Sequence, residues 1–134
     1  MPTAYSLDPM HRLVRTRAWG SVSNEELRDY YHRLAGDGRF HPDFRELVDL
    51  RGVLIFHVDS MMIAEVAAWP IFDAGVRRAI IAFSDIAFGL SRMFATYADA
   101  GGQDVQVFRN ARAAEEWLES PDGVVPDLPP ACAA

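Results

Sequence analysis

Lysine is absent from this chain, and cysteine is nearly so. All 13 basic residues are arginines, so no lysine is present to form a Schiff base, to bind phosphate in a Walker-type loop or to act as a general base. The single cysteine, Cys132, excludes an intrachain disulfide and fits a reducing compartment. The chain also lacks an apolar run near the roughly 18 residues of a membrane-spanning helix. Its first residues lack the apolar core of a signal peptide. We therefore expect a soluble, cytoplasmic protein.

Positive charge is scarce as well. The formal net charge is -6, which argues against nucleic acid as a partner, because phosphate-backbone binding needs clustered positive charge. A length of 134 residues with 50% hydrophobic content suits one compact domain. We predict a single domain over residues 1–119 and a proline-rich tail without periodicity over 120–134.

Apolar periodicity and turn residues predict the secondary structure. Alternation over 4–7 and 13–19, around a turn rich in turn-forming residues, indicates a hairpin. Ser23 and Glu26 form a capping box at the start of a helix. The later elements are a strand over 44–50, an apolar helix over 60–74, a strand over 76–83, a helix over 85–98, a strand over 105–108 and a helix after Asn110. The order ββαβαβαβα predicts an α/β fold whose five-stranded, mostly parallel sheet begins with an antiparallel hairpin and carries four helices.

Several short motifs resemble a known family. Val48-Asp49-Leu50-Arg51, followed by Asp59-Ser60 at a helix start, resembles the STAS domain. The wider pattern is similar to the SpoIIAA-like group of small bacterial proteins, which are related to CRAL-TRIO lipid-transfer domains. The further motifs are Trp19-Gly20, Arg78-Ala79, Phe88-Gly89-Leu90-Ser91-Arg92-Met93-Phe94, Val107-Phe108-Arg109, Ala114 and Trp117-Leu118.

This resemblance implies a non-catalytic protein that binds partners or small ligands. Some STAS domains are switched by phosphorylation of a serine in an Asp-Ser-Ser-Gly turn. Asp59 and Ser60 match the first two positions of that turn, whereas Met61 replaces the phosphoacceptor serine and Met62 the glycine. Ser60 is a candidate phosphorylation site at a helix N-terminus, or it caps the helix. We favour the cap.

Asp49 and Arg51 are further candidates for binding. They lie two residues apart at the carboxyl end of a predicted strand, so their side chains share a face, and ligands bind at that end of open α/β sheets. The alternative, which we favour, is a local ion pair. Asp85 and Arg92, on the helix over 85–98, are expected to join them at the same edge.

The helix over 60–74 is more apolar than a surface helix requires. Its excess apolar surface fits the core, a subunit interface or the wall of an apolar ligand pocket. Pro70 is expected to kink this helix near its end or to cut it short. The apolar residues are Met61, Met62, Ile63, Val66, Ala67, Ala68, Trp69, Ile71 and Phe72.

No motif indicates catalysis, a metal or a cofactor. The four histidines, His11, His32, His41 and His57, lack the spacing of a metal site, and no nucleophile elbow or glycine-rich phosphate loop occurs. Cys132 in a tail has no rigid base beside it.

We therefore expect a regulatory or ligand-sensing module that binds a protein through a loop over 52–60 and the helix over 60–74. The alternative is an apolar small molecule or lipid in a pocket behind that helix, with transient peripheral contact with a membrane. A homodimer is compatible with both hypotheses. The predicted binding residues are Asp49, Arg51, Asp59, Ser60, Met61, Met62, Trp69, Phe72 and Arg92.

Overall fold

The computed structural model describes residues 2–121 and shows nine elements in the predicted order. The strands are β1 (Thr3–Asp8), β2 (Leu13–Ser23), β3 (Arg45–His57), β4 (Arg77–Ile81) and β5 (Asp104–Phe108). The helices are α1 (Asn24–Ala35), α2 (Ser60–Ala67), α3 (Asp85–Ala100) and α4 (Ala111–Glu119). The predicted tail from 122 onward, with Cys132, lies outside the described residues. Within 2–121 no helix is long and apolar enough to span a membrane.

The five strands form one sheet in the order β1-β2-β3-β4-β5. β1 pairs with β2 antiparallel, and every later pair is parallel. The predicted fold class is thus confirmed. The predicted N-cap at Ser23 is confirmed, because Ser23 Oγ accepts a hydrogen bond from the Glu26 amide at 3.3 Å. The Glu26 carboxylate reaches back to the Ser23 hydroxyl at 3.0 Å, whereas a full capping box uses the backbone N–H of the capping residue.

Alternation along the strands divides the core into two layers. Val14, Val48 and Ile80 pack into the larger cluster with residues of α1, α2 and α3. Their neighbours Leu47 and Ile81 pack on the other face, against α4. Because successive side chains of a strand point to opposite faces, the central strands are covered on both sides, as the apolar run over 76–83 predicts.

The prediction of a loop over 52–60 is wrong for most of that range, because β3 continues to His57. β3 pairs with β4 only as far as Asp49, whereas it pairs with β2 out to His57. Each of two register shifts gives β3 one extra residue relative to β2, so β3 gains two in all, and such bulges bend a strand. We call residues 50–57 the overhang. At Gly52 a Cβ atom would lie 3.1 Å from both Ala18 O and Trp19 Cβ, so the two strands approach closely because a side chain is absent.

The predicted helix over 60–74 is too long. α2 has 8 residues and ends at Ala67; the chain then forms turns through 72. Pro70 explains the early end, because proline lacks the N–H of a helical hydrogen bond and disfavours helical geometry at the preceding residue.

Candidate functional site

An apolar cavity of about 100 Å³ lies between the sheet and the layer formed by α1, α2 and α3. It is open to solvent on one side, and no charged residue lines it within the part of the chain that the structure describes. Phe56 reaches it from the overhang and Val58 from the residues that follow, so the extension of β3 helps to build its wall. The apolar residues of the wall include Ala18, Val22, Leu27, Leu50, Phe56, Val58, Ile63, Leu90 and Phe94.

Most polar groups on the cavity wall are already engaged with protein partners. The Thr3 hydroxyl accepts a hydrogen bond from Arg33 at 2.8 Å. The Thr16 and Tyr30 hydroxyls lie 2.6 Å apart, and Tyr30 also donates to Glu46 at 3.0 Å. Burial, followed by the nearby carboxylate, raises the pKa of Tyr30 well above its usual value. Tyr30 therefore stays protonated, and the three hydroxyls all have protein partners.

Ser91 of α3 is the exception. Its side chain lines the cavity, and the residue is only 4% exposed. Among residues 2–121 its hydroxyl has no hydrogen-bond partner. Serine and threonine in helices commonly bond the carbonyl four residues earlier, as Thr96 does to Arg92 O at 2.9 Å. The Ser91 hydroxyl instead faces apolar surroundings without a protein acceptor.

Large apolar side chains are exposed on the segments that build the cavity. Leu54 and Ile55 of the overhang are 84% and 52% exposed, and Met61 at the start of α2 is 81% exposed. Phe83 and Ile86, which precede and begin α3, are 70% and 68% exposed. The segments around the cavity thus present several large apolar side chains to solvent.

Asp49 and Arg51 lie on the opposite face of the sheet from the cavity. Arg51 Nε and Nη2 donate to the two carboxylate oxygens of Asp49 at 3.0 and 2.8 Å. This fork holds the pKa of the Asp49 carboxyl below its usual value. Both residues line a polar groove with Arg15, Arg17 and Glu115, so they form a local ion pair within an open surface.

The expected approach of Asp85 and Arg92 to this pair is not observed. Asp85 instead accepts a hydrogen bond from Arg109 at 3.0 Å. Arg92 is exposed on α3, with its guanidinium 5.9 Å from the Phe88 ring. The expectation fails because α3 packs on the cavity side of the sheet, whereas Asp49 and Arg51 point to the side of α4.

The cap of α2 is Asp59, so the expected cap at Ser60 is wrong. The Asp59 carboxylate accepts from the Met62 amide at 2.8 Å and from Asn24 Nδ2 at 2.9 Å. These two bonds, the backbone one first, lower the pKa of Asp59. Ser60 is the first helical residue and is exposed.

The remaining predicted residues of this region belong largely to the core. Met62 and Phe72 are 7% and 3% exposed, and the Phe72 ring stacks 4.2 Å from the guanidinium of Arg78. Trp69 is half-buried against His32, beside a separate shallow groove. Most of the apolar surface of α2 is therefore explained by packing, and Ile63 is its contribution to the cavity.

Comparison with known proteins supports the fold assignment. No protein-family model matches the chain, and no curated protein matches it either. A solved structure does match: an uncharacterised protein of the DUF3478 family with a SpoIIAA-like fold from Shewanella loihica PV-4. The TM-score is 0.57 at 18% identity, over 87% of this chain and 93% of that one. This chain has a SpoIIAA-like fold.

Within this SpoIIAA-like fold, sequence reasoning missed two polar features. Ser91 lies within the Phe88–Phe94 motif, and its residue type gives no sign of a binding role. Glu46 and Arg78 form a buried ion pair, with 2.9 Å between Glu46 Oε1 and Arg78 Nε, and a signal for it existed. Glu46 and Arg78 carry opposite charges directly before the apolar residues of two neighbouring strands, and the register places them opposite each other. Charged residues that are fully buried are almost always paired in this way.

The described part of the SpoIIAA-like domain offers no metal centre. Among residues 2–121 no group of three or more His, Cys, Asp or Glu side chains is arranged to hold a metal ion. His11 contacts Asp8 at 2.7 Å in the hairpin turn, where both side chains are exposed. The apolar cavity is therefore the candidate functional site.

Proposed function

We propose that this chain is a non-catalytic binding module that takes a small apolar ligand into the cavity beneath α1, α2 and α3. The observation that carries the proposal is the cavity itself, with about 100 Å³ of space and an apolar wall open on one side. Ligand pockets are typically concave and mostly apolar, with few polar groups. Apolar cavities of similar size bind small hydrophobic molecules rather than water.

The size of the cavity defines the ligand further. A space of about 100 Å³ accepts a small ring or a few methylene groups. A complete lipid does not fit, although the end of an acyl chain does. The absence of catalysis is supported by the wall, since neither a histidine nor a carboxylate lines the cavity beside Ser91 among the residues of 2–121. A nucleophilic hydroxyl needs such a base.

Blocking the cavity tests this function. Leu90 is half-buried and lines the cavity, whereas Met93 on the same helix is half-buried and does not. We expect the wild-type protein to bind toluene with a dissociation constant on the order of 1 mM. Leu90→Trp should weaken this binding at least about tenfold by filling the space, and Met93→Trp should leave it unchanged.

Protein-observed NMR titration measures the effect through the amide shifts of residues around the cavity. Saturating toluene without shifts in the wild-type protein would falsify the proposal. Equal weakening in both tryptophan variants would contradict the assignment of the site to this cavity.

A second candidate function is a contact with a protein through the overhang. The observation that favours it is the strand edge: the overhang has no β4 partner within residues 2–121, and it presents Leu54 and Ile55 to solvent. Free strand edges accept an additional strand through their backbone groups. This contact would use the region that the sequence predicts for a protein partner. The structure shows most of that region as a strand rather than a loop.

A further inference from the structure

The free hydroxyl of Ser91 narrows the chemical class of the ligand. Of the polar groups on the wall, Thr3, Thr16, Tyr30 and Tyr31 all hydrogen-bond to protein atoms. Only Ser91, 4% exposed, has no partner among the described residues. The Ser91 hydroxyl is not sealed inside the core, because Arg33 Nε is the one fully buried side-chain polar atom without a hydrogen-bond partner among residues 2–121. The hydroxyl lines the cavity and is therefore available to a molecule inside it.

Water is a poor partner for the Ser91 hydroxyl. A buried water typically makes about three hydrogen bonds, and it needs at least two polar partners. Ser91 carries the one hydroxyl on the cavity wall that has no protein partner among the described residues. A ligand with a single polar atom on an apolar body matches a wall that has one available hydroxyl among apolar side chains.

The charge of the ligand is constrained by the same wall. No charged side chain lines the cavity within the described chain. The buried charges nearest in the fold, Glu46 and Arg78, are paired with each other at 2.9 Å. An ionised ligand would lose its hydration without gaining a counterion, which is unfavourable.

We propose that the cavity selects a neutral, compact apolar molecule with one hydroxyl or carbonyl oxygen, which hydrogen-bonds to the hydroxyl of Ser91. This inference rests on the proposed uptake of an apolar ligand. It adds the chemical class of that ligand and the residue that recognises it. Ser91 acts here as a binding residue only, and no covalent step is involved.

Three matched probes test the inference on the full chain: toluene, benzyl alcohol and benzoate at neutral pH. They share one ring and differ in carrying no oxygen, a neutral hydroxyl or a charge. We expect benzyl alcohol to bind about 5- to 10-fold more tightly than toluene, the value of one hydrogen bond in a buried site. Benzoate should bind more weakly than either.

Ser91→Ala should abolish the preference for benzyl alcohol while it leaves the affinity for toluene unchanged. Ser21→Ala, an exposed serine of β2, is the control and should retain the preference. Ser91→Cys, which nearly keeps the volume, should reduce it, because a thiol is a weak donor. NMR titration gives all affinities, and a thermal melt of each variant without ligand shows that it is folded.

The outcomes distinguish failure of the proposed role of Ser91 from failure of the proposed apolar binding. A preference for benzyl alcohol that persists in Ser91→Ala overturns the role of Ser91 and leaves apolar binding intact. Benzoate as the tightest ligand overturns the neutral class. If no probe binds, the proposed function fails as well.

Discussion

At the scale of the residue, the most consequential interaction is the buried pair of Glu46 and Arg78. Their side chains are 1% and 3% exposed. Tyr30 and Tyr31 donate to the carboxylate, Tyr31 also accepts from Arg78, and the Phe72 ring covers the guanidinium. Although burial would lower the pKa of Arg78, the adjacent carboxylate keeps it raised. Such a pair joins two strands and the α1 layer in one arrangement, because every hydrogen bond depends on the register.

Removing one charge of this pair should be far more damaging than removing an exposed one. Glu46→Gln leaves Arg78 charged and buried without a counterion, which costs about 3–5 kcal/mol of unfolding free energy. Glu116→Gln is the control, because Glu116 pairs with Arg112 on the exposed face of α4, where such pairs contribute under about 1 kcal/mol. Urea denaturation measures both. Equal losses in the two variants would show that the buried charge is screened and refute this account.

At the scale of the element, the stability of α2 depends on the contacts at its N-terminus more than on its length. A helix of 8 residues is too short to form by propensity alone. Asp59 caps it and also exchanges hydrogen bonds with Asn24 at the start of α1. The cap therefore links the starts of two helices and positions Ile63 on the cavity wall.

Asp59→Ala should lower the melting temperature by about 3–6 °C at neutral pH, since a helix cap and its link to α1 are lost. Ser60→Ala, one residue later and exposed, should change it little. Because the folded-state pKa of Asp59 is lowered, its contribution is present above the unfolded value near about 4 and is lost as the pH falls through the folded value. Melting curves recorded at neutral and acidic pH check both statements. A larger effect from Ser60→Ala than from Asp59→Ala would show that Ser60, not Asp59, caps α2.

Elements were predictable wherever a local signal defined both their type and their end. Ser84 and Asn110 cap α3 and α4 through the Ala87 and Ala113 amides, and capping residues of this type are readable in a sequence. β3 was predicted too short because Arg51-Gly52 resembles a turn, whereas Gly52 permits a close approach to β2. Such an approach depends on a strand that is distant in the chain.

The candidate site was less predictable than the fold. The expectation of a pocket behind α2 came from an apolar excess, and most of that excess is core packing of residues such as Met62 and Phe72. The cavity lies instead beside the part of β3 that no longer pairs with β4, and the register shifts between β2 and β3 in this region leave no clear local pattern. The free hydroxyl of Ser91 is defined only by the absence of a partner, which requires the tertiary structure.

At the scale of the whole molecule, the overhang raises the question of self-association. It presents a strand edge without a β4 partner within the described residues, together with the exposed Leu54. Natural proteins commonly protect such edges with charge, because free edges pair with one another. Two copies related by a two-fold axis would pair their overhangs antiparallel in a closed dimer. A net charge of -6 opposes that contact, and salt screens the opposition.

We therefore expect a weak dimer whose population rises with protein concentration and with ionic strength. Leu54→Lys should shift the protein toward monomer, because a charged side chain on the edge disfavours pairing. Met10→Lys is the matched control, because this variant introduces the same charge away from the overhang. Met10 is 87% exposed in the turn between β1 and β2. Sedimentation velocity over a concentration series at two salt concentrations measures the association. A wild-type protein that stays monomeric throughout, or equal effects of the two lysine variants, would exclude the overhang as the dimer contact and leave its edge free for a different protein.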